Sequence, residues 1–218
     1  MRRVLLYVPS HREIPEARES WLRQKASNTW VDVFIMRYDP FPDEGAYPNL
    51  RVKNKIAKAM FIAGQYDYFF HVEDDVILPA DALELLMAAH VPIIAGIGRL
   101  RPENSGDCHI TVRIKDPDKR SSSDDRPLEL LDINEERRII ECTGIWYGCT
   151  LIDSEFLNLL GDDVGEDWKF TRVANEHGLQ LYAHTGVRCG HVDKDGNVWR
   201  IEDYGPVPIN CSYDLSAE

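Results

Sequence analysis

Hydrophobic positions along the first half of the chain alternate between two rhythms, short unbroken runs and spaced stripes. Val4 to Val8 is a continuous apolar run stopped by Pro9 and Ser10, the pattern of a parallel strand buried on both faces. Ile14, Ala17, Trp21 and Leu22 then fall at helical spacing within residues 14–26, with Pro15 in the first turn, where a missing N–H costs nothing. Val31 to Tyr38 reads as a second strand, and the prolines and glycine of DPFPDEGAYPN mark a loop that ends at Asn49, a helix N-cap. From Leu50 to Ala63 the stripe Val52, Ile56, Ala59, Met60, Ala63 predicts a helix stopped by Gly64. Tyr66 to Ile77 is a third strand that runs into Glu73, Asp74 and Asp75. Pro79 opens a helix bearing Leu83, Leu86 and Met87, and Val91 to Ile97 is a fourth strand. Strand and helix in strict alternation predict a doubly wound α/β fold with a mostly parallel sheet, whose ligands sit at the carboxyl ends of the strands.

The rhythm breaks after Arg99. Residues 101–138 are polar, and KDPDKRSSSDDRP (Lys115 to Pro127) offers no apolar face, which predicts a mobile, solvated insertion; a lid over an acceptor is the alternative. Order resumes with strands around a Gly-rich bend in Ile139 to Ile152, and a short helix capped by Asp153 and Ser154 follows, ending at Gly161. A second helix runs from Glu166 to His177 with Phe170, Val173, Ala174 and His177 on one stripe. LQLYAH is a strand, and VDKDGNVWRI a hairpin turning at Asp195-Gly196. The expected organisation is one domain over residues 1–218, with an alternating first half (1–100), the polar insertion (101–138) and a second ordered half (139–218).

Charge narrows the classes. The 218 residues carry 25 Lys and Arg against 37 Asp and Glu, a net charge of −12, which argues against nucleic acid as a partner. Five cysteines without a C-x-x-C pair suggest neither a zinc knuckle nor a disulfide framework and point to a reducing compartment. The apolar run after Arg2 and Arg3 is too short for a signal sequence, and no stretch is long enough for an integral membrane segment. The expectation is a soluble cytoplasmic protein.

Such a chain needs a cation if it is to hold a diphosphate, and HVEDDV supplies the ligands. Side chains alternate along a strand, so Glu73 and Asp75 are expected on one side and Asp74 on the other. Two acids sharing a crevice repel unless a cation joins them, and hard oxygen donors suit Mg²⁺ or Mn²⁺. The structural alternative is a solvated acidic turn that caps the following helix. His71, two residues before Glu73, reads as a hydrogen-bonded core residue, and His177 and His184 carry no separate signal.

DYFFHVEDDVILP resembles the D-x-D segment of GT-A fold glycosyltransferases of the family 2 type, with Glu73 in place of the first Asp. Four further pieces are similar and in the same order: VPSHRE after the first strand, LRVKNKIAKA as the Arg/Asn-bearing helix, GCTLIDSEFL as the glycine-containing strand beside the acceptor, and GEDWKFTRVANEHGLQLYAHTGVRCGHV as the segment with an acidic pair and a later metal-binding His. The resemblance implies a GT-A type fold and makes Asp75 the direct metal ligand, with Glu73 near the ribose or bridging through water. It adds His191 as a nitrogen ligand, which favours Mn²⁺ over Mg²⁺. Pro9, Ser10, Arg12, Asp39, Arg51, Asn54, Lys55, Glu73 and Asp74 are the expected nucleotide contacts, Asp39 toward base or ribose and Arg12, Arg51 and Lys55 toward the diphosphate. Asp167 is the expected general base and Glu166 the acceptor contact; acids in a first helical turn are also favoured by the dipole alone. Trp146 and Tyr147 can stack on a sugar or fill core.

The implied activity is hexosyl transfer from a nucleoside diphosphate sugar to an unidentified hydroxyl acceptor, with inversion through Asp167; in a retaining enzyme Asp167 would position a sugar. The chain departs from the family in having DPFPDEG where an acidic turn should follow the second strand. Two rival readings are a sugar-phosphate nucleotidylyltransferase, which needs a Gly-rich triphosphate loop where PSHREIPE has no glycine, and a non-catalytic sugar- or nucleotide-binding module.

Overall fold

The computed structural model describes residues 1–37, 39, 46–99, 110–115, 125–133, 135, 138–157 and 167–202. The first strand, β1 (Arg2–Pro9), is followed by α1 (Pro15–Leu22), β2 (Thr29–Met36), α2 (Ala46–Gly64), β3 (Tyr68–Val72), β4 (Val76–Ile77), α3 (Ala82–Ala88) and β5 (Ile93–Ile97). The second half contributes β6 (Arg113–Lys115), β7 (Asp125–Pro127), β8 (Ile139–Cys142), β9 (Cys149–Asp153), α4 (Ser154–Leu157), α5 (Asp167–Glu176), β10 (Leu181–Arg188), β11 (Gly190–Val192) and β12 (Val198–Trp199). The central sheet has seven strands in the order β2-β1-β3-β9-β5-β10-β8. Five run in one direction, while β9 and β8 run against them.

Both faces of this sheet are covered, which is why β1 reads as an unbroken apolar run. Val4, Leu6 and Val8 pack toward Ala17 and Trp21 of α1 and Leu83 and Leu86 of α3. Leu5 and Tyr7 pack on the other face, toward Ala57 and Phe61 of α2 and Phe170 and Ala174 of α5. The α/β architecture expected from the alternating pattern is therefore present, with one change of plan: β9, from the second half of the chain, lies antiparallel between β3 and β5.

Five expectations are corrected. The third strand ends at Val72; residues 73–75 turn out of the sheet, where Val76 N–H donates to the Glu73 carbonyl at 3.2 Å, and β4 joins a separate sheet, β12-β11-β4. The helix expected to open at Pro79 begins at Ala82. In α2 the predicted apolar stripe is the wrong face: Ile56 and Met60 are each 40% exposed, while Asn49, Lys53, Asn54, Ala57 and Phe61 face the sheet. Asn49, the expected N-cap, lies inside the helix, whose start at Ala46 puts Pro48 in a first turn that tolerates it. Last, the ends of the segment expected to be a solvated insertion are ordered. β6 pairs antiparallel with β7, Arg113 forks onto Asp125 with contacts of 3.0 and 2.9 Å, and Val112 and Leu128 are core residues.

Candidate metal centre

The acidic turn is anchored on two sides. Glu73 N–H donates to the Gly148 carbonyl at 3.0 Å, just ahead of β9, and Val192 N–H donates to the Asp75 carbonyl at 2.8 Å. Because β11 pairs with β4 in a register that sets His191 opposite Val76, an imidazole from the far end of the chain reaches the acids. One ligand atom from each of Glu73, Asp75 and His191 lies within 4.8 Å of the others. Asp75 and His191 are buried and Glu73 is half-buried.

The orientation of the His191 ring follows from its neighbours. Its Nδ1 lies 2.9 Å from the Arg99 carbonyl oxygen, which can only accept. Nδ1 therefore donates, and Nε2 is the ring nitrogen turned toward Asp75 Oδ1, at 3.6 Å. That is the orientation a histidine ligand needs, with its other nitrogen held by a backbone acceptor. Two carboxylates and one imidazole fit a hard or borderline divalent cation, and the nitrogen donor suits Mn²⁺ better than Mg²⁺.

Arg12 ties the two ligand-bearing segments together. Its Nη2 pairs with Asp75 Oδ2 at 3.1 Å and donates to the Val192 carbonyl at 3.0 Å, and its Nη1 donates to the Asp193 carbonyl at 3.3 Å. One guanidinium thus offsets one of the two carboxylates. Asp193 in turn organises the β11–β12 turn by accepting from the N–H groups of Asp195 and Asn197 and from the Trp199 indole, all within 3.0 Å. Those donors hold its carboxyl well below the usual range.

Asp74 is not among the converging ligands; it latches the β1–α1 connection by accepting from the His11 and Arg12 N–H groups at 2.6 and 3.0 Å. Ser10 is buried and donates through Oγ to the Arg12 carbonyl at 2.8 Å, beside buried Pro9. Asp39 is held by Lys53 Nζ at 2.6 Å and lies 3.2 Å from His11 Nδ1; the Lys53 hydrogen bond, aided by both charges, keeps its carboxyl below the ordinary range. Lys53, fully buried and also donating to the Ser10 carbonyl at 2.9 Å, was not among the candidates drawn from the sequence. Its i, i+4 placement between Asn49 and Ala57 is the signal that could have found it. Asn54 is buried, and its side-chain oxygen and nitrogen have no partner among the described residues. Arg51 and Lys55 lie on the exposed side of α2.

His71 is the core residue expected. Its Nδ1 donates to the Tyr147 carbonyl at 2.8 Å and its ring stacks on Tyr147 at 3.9 Å, and burial pushes its pKa down to about 3. Tyr147 also packs 4.7 Å from Phe170 of α5, which links the acidic turn to that helix. Asp167 is the first residue of α5, one turn before Phe170, and Glu166 lies outside the described residues. Trp146 is buried against His191 rather than displayed to solvent.

No family model matches the chain, and no curated protein matches it in sequence. Solved structures do share its fold. The crystal structure of A197 from STIV aligns with a TM-score of 0.56 at 18% identity, over 97% of this chain and 100% of that one. The crystal structure of GalNAc-T7 with UDP, GalNAc and Mn²⁺ aligns with a TM-score of 0.55 at 11% identity, over 93% of this chain and 45% of that one. At these identities the likeness establishes the fold, a GT-A-like α/β arrangement around a mostly parallel seven-stranded sheet. Among the described residues, no helix is long and apolar enough to cross a membrane.

Proposed function

We propose that this chain is a metal-dependent glycosyltransferase that moves a sugar from a nucleoside diphosphate donor to a hydroxyl acceptor. The observation that carries the reading is the convergence of Glu73, Asp75 and His191 beyond the carboxyl end of β3, where this fold class places ligands. The GalNAc-T7 structure of similar fold contains UDP, a sugar and Mn²⁺. Glu73, Asp75 and His191 would hold Mn²⁺ or Mg²⁺, which supplies Lewis-acid neutralisation of a diphosphate leaving group. Ser10, Asp39 and Lys53 gather at the ends of β1 and β2 and form the candidate nucleoside contact, and Asn54, next to Lys53 in α2, is a buried side chain with hydrogen-bonding capacity to spare. Asp167 acts as general base, accepting the proton of the acceptor hydroxyl as that oxygen attacks the anomeric carbon, so transfer proceeds with inversion. Glu166 binds the acceptor beside it.

A thermal-shift screen of UDP, GDP, CDP and ADP, each with and without Mn²⁺, tests this directly. A ligand at a hundred times its Kd stabilises by about 2.7 kcal/mol, or roughly 5–10 °C for a domain of this size. One diphosphate should do so only with Mn²⁺, and Asp75→Ala should abolish the shift. Stabilisation by a nucleoside triphosphate in preference to every diphosphate would transfer the reading to nucleotidyl transfer. Binding without acceptor-free donor hydrolysis or transfer would leave a binding module.

A further inference from the structure

We infer that Trp146 is a positioning residue for the cation site, its indole N–H fixing the Glu73 carboxylate for the metal; this rests on the proposed role of Glu73, Asp75 and His191 as ligands. Each of the three is steadied by a different part of the chain. The Arg99 carbonyl after β5 orients His191, Arg12 before α1 engages Asp75, and Trp146 in the β8–β9 connection donates through Nε1 to Glu73 Oε2 at 3.2 Å. Glu73 is the least buried of the ligands and has the most rotatable side chain, so it loses the most rotamer freedom on binding an ion. A donor already holding one of its oxygens reduces that cost. The same indole packs 5.2 Å from the His191 ring, so one side chain touches two candidate ligands.

The surroundings are built to admit this ring. A Cβ added at Gly98 would come within 2.4 Å of the indole, and one at Gly148 within 2.2 Å. Two separate segments therefore forgo side chains where the ring passes. Thr150 Oγ1 donates to the Trp146 carbonyl at 2.7 Å and pins the backbone that carries it. A buried indole N–H needs an acceptor, and here the acceptor is the carboxylate of a candidate ligand.

The test uses Mn²⁺ alone and isothermal titration calorimetry of the full chain. Trp146→Phe keeps an aromatic ring but removes the N–H, and Mn²⁺ affinity should fall about ten-fold, the scale of losses when a ligand's outer partner is removed. A hydrogen bond to a charged acceptor is roughly twice as strong as one to a neutral acceptor, so in a Glu73→Gln background the added loss should shrink to about three-fold. An unchanged Kd in Trp146→Phe, or the same loss in both backgrounds, overturns the inference while leaving the metal site intact. No Mn²⁺ uptake by the wild-type chain sinks the metal reading itself. A measurement without variants guards against misfolding: in a ¹⁵N-labelled wild-type chain, the assigned Trp146 indole N–H resonance should move on Mg²⁺ titration, and a resonance that stays fixed at saturation overturns the proposal.

Discussion

His71 and His191 show how one side chain is put to opposite uses by its neighbours. Each Nδ1 donates to a backbone carbonyl, of Tyr147 and of Arg99 respectively. The remaining nitrogen of His191 faces a carboxylate, whereas the His71 ring lies between Tyr7 and Tyr147, where burial pushes its pKa to about 3. The folded state therefore refuses a proton that the unfolded chain accepts near pH 6.5. Its contribution to stability is complete above about pH 6.5 and is lost as pH falls from there toward 3, with a slope of up to about 1.4 kcal/mol per pH unit. His184, also shifted down by burial, acts with the same sign. Urea unfolding at pH 7 and pH 5 should show a marked loss for wild type and a smaller one for His71→Asn; equal losses would contradict the assignment.

At the scale of elements, α2 is the instructive case. Its sequence offers two stripes, one of Val52, Ile56 and Met60 and one of Asn49, Lys53, Ala57 and Phe61. Hydrophobicity alone selects the first, yet the second faces the sheet. A fully buried lysine is tolerated because the strand ends supply the Ser10 carbonyl and Asp39 as partners, and neither partner is visible from within the helix. Lys53→Met should destabilise by roughly 1–3 kcal/mol, since two acceptors lose their donor. Met60→Gln should cost under about 0.5 kcal/mol, as exposed substitutions do. Chemical denaturation of the two variants would show the reverse order if α2 faced the way its hydrophobic pattern suggests. Asp193 governs a second element, the β11–β12 hairpin that delivers His191. Replacing it with Ala removes the acceptor for the turn's N–H groups, so amide exchange across residues 190–199 should accelerate while that of β1 stays slow.

Across the whole molecule, three distant segments meet at one turn: the β1–α1 connection through Arg12, the β8–β9 connection through Trp146, and β11 through His191. An ion bound there would join the two halves of the chain, so chelation should act on global stability. EDTA should lower the melting temperature of Mn²⁺-loaded wild type back to its metal-free value, by an amount set by the ratio of ion concentration to Kd, and leave Asp75→Ala unmoved. The sequence alone determined the succession of strands and helices in the first half, because strands covered on both faces must be unbroken apolar runs and covering helices must carry stripes. It also marked the acidic trio as the chemistry to watch, since acids crowded at a strand end need a counter-charge, and the family resemblance added His191. Only the tertiary structure decided that β9 inserts antiparallel between β3 and β5, because pairing between strands far apart in sequence leaves no local periodicity. It alone brought Glu73 and Asp75 together in a turn rather than along a strand, for strict alternation lapses once the chain leaves the hydrogen-bonded ladder. Burial of Lys53 and Trp146 was likewise a tertiary decision, made by acceptors that other segments provide.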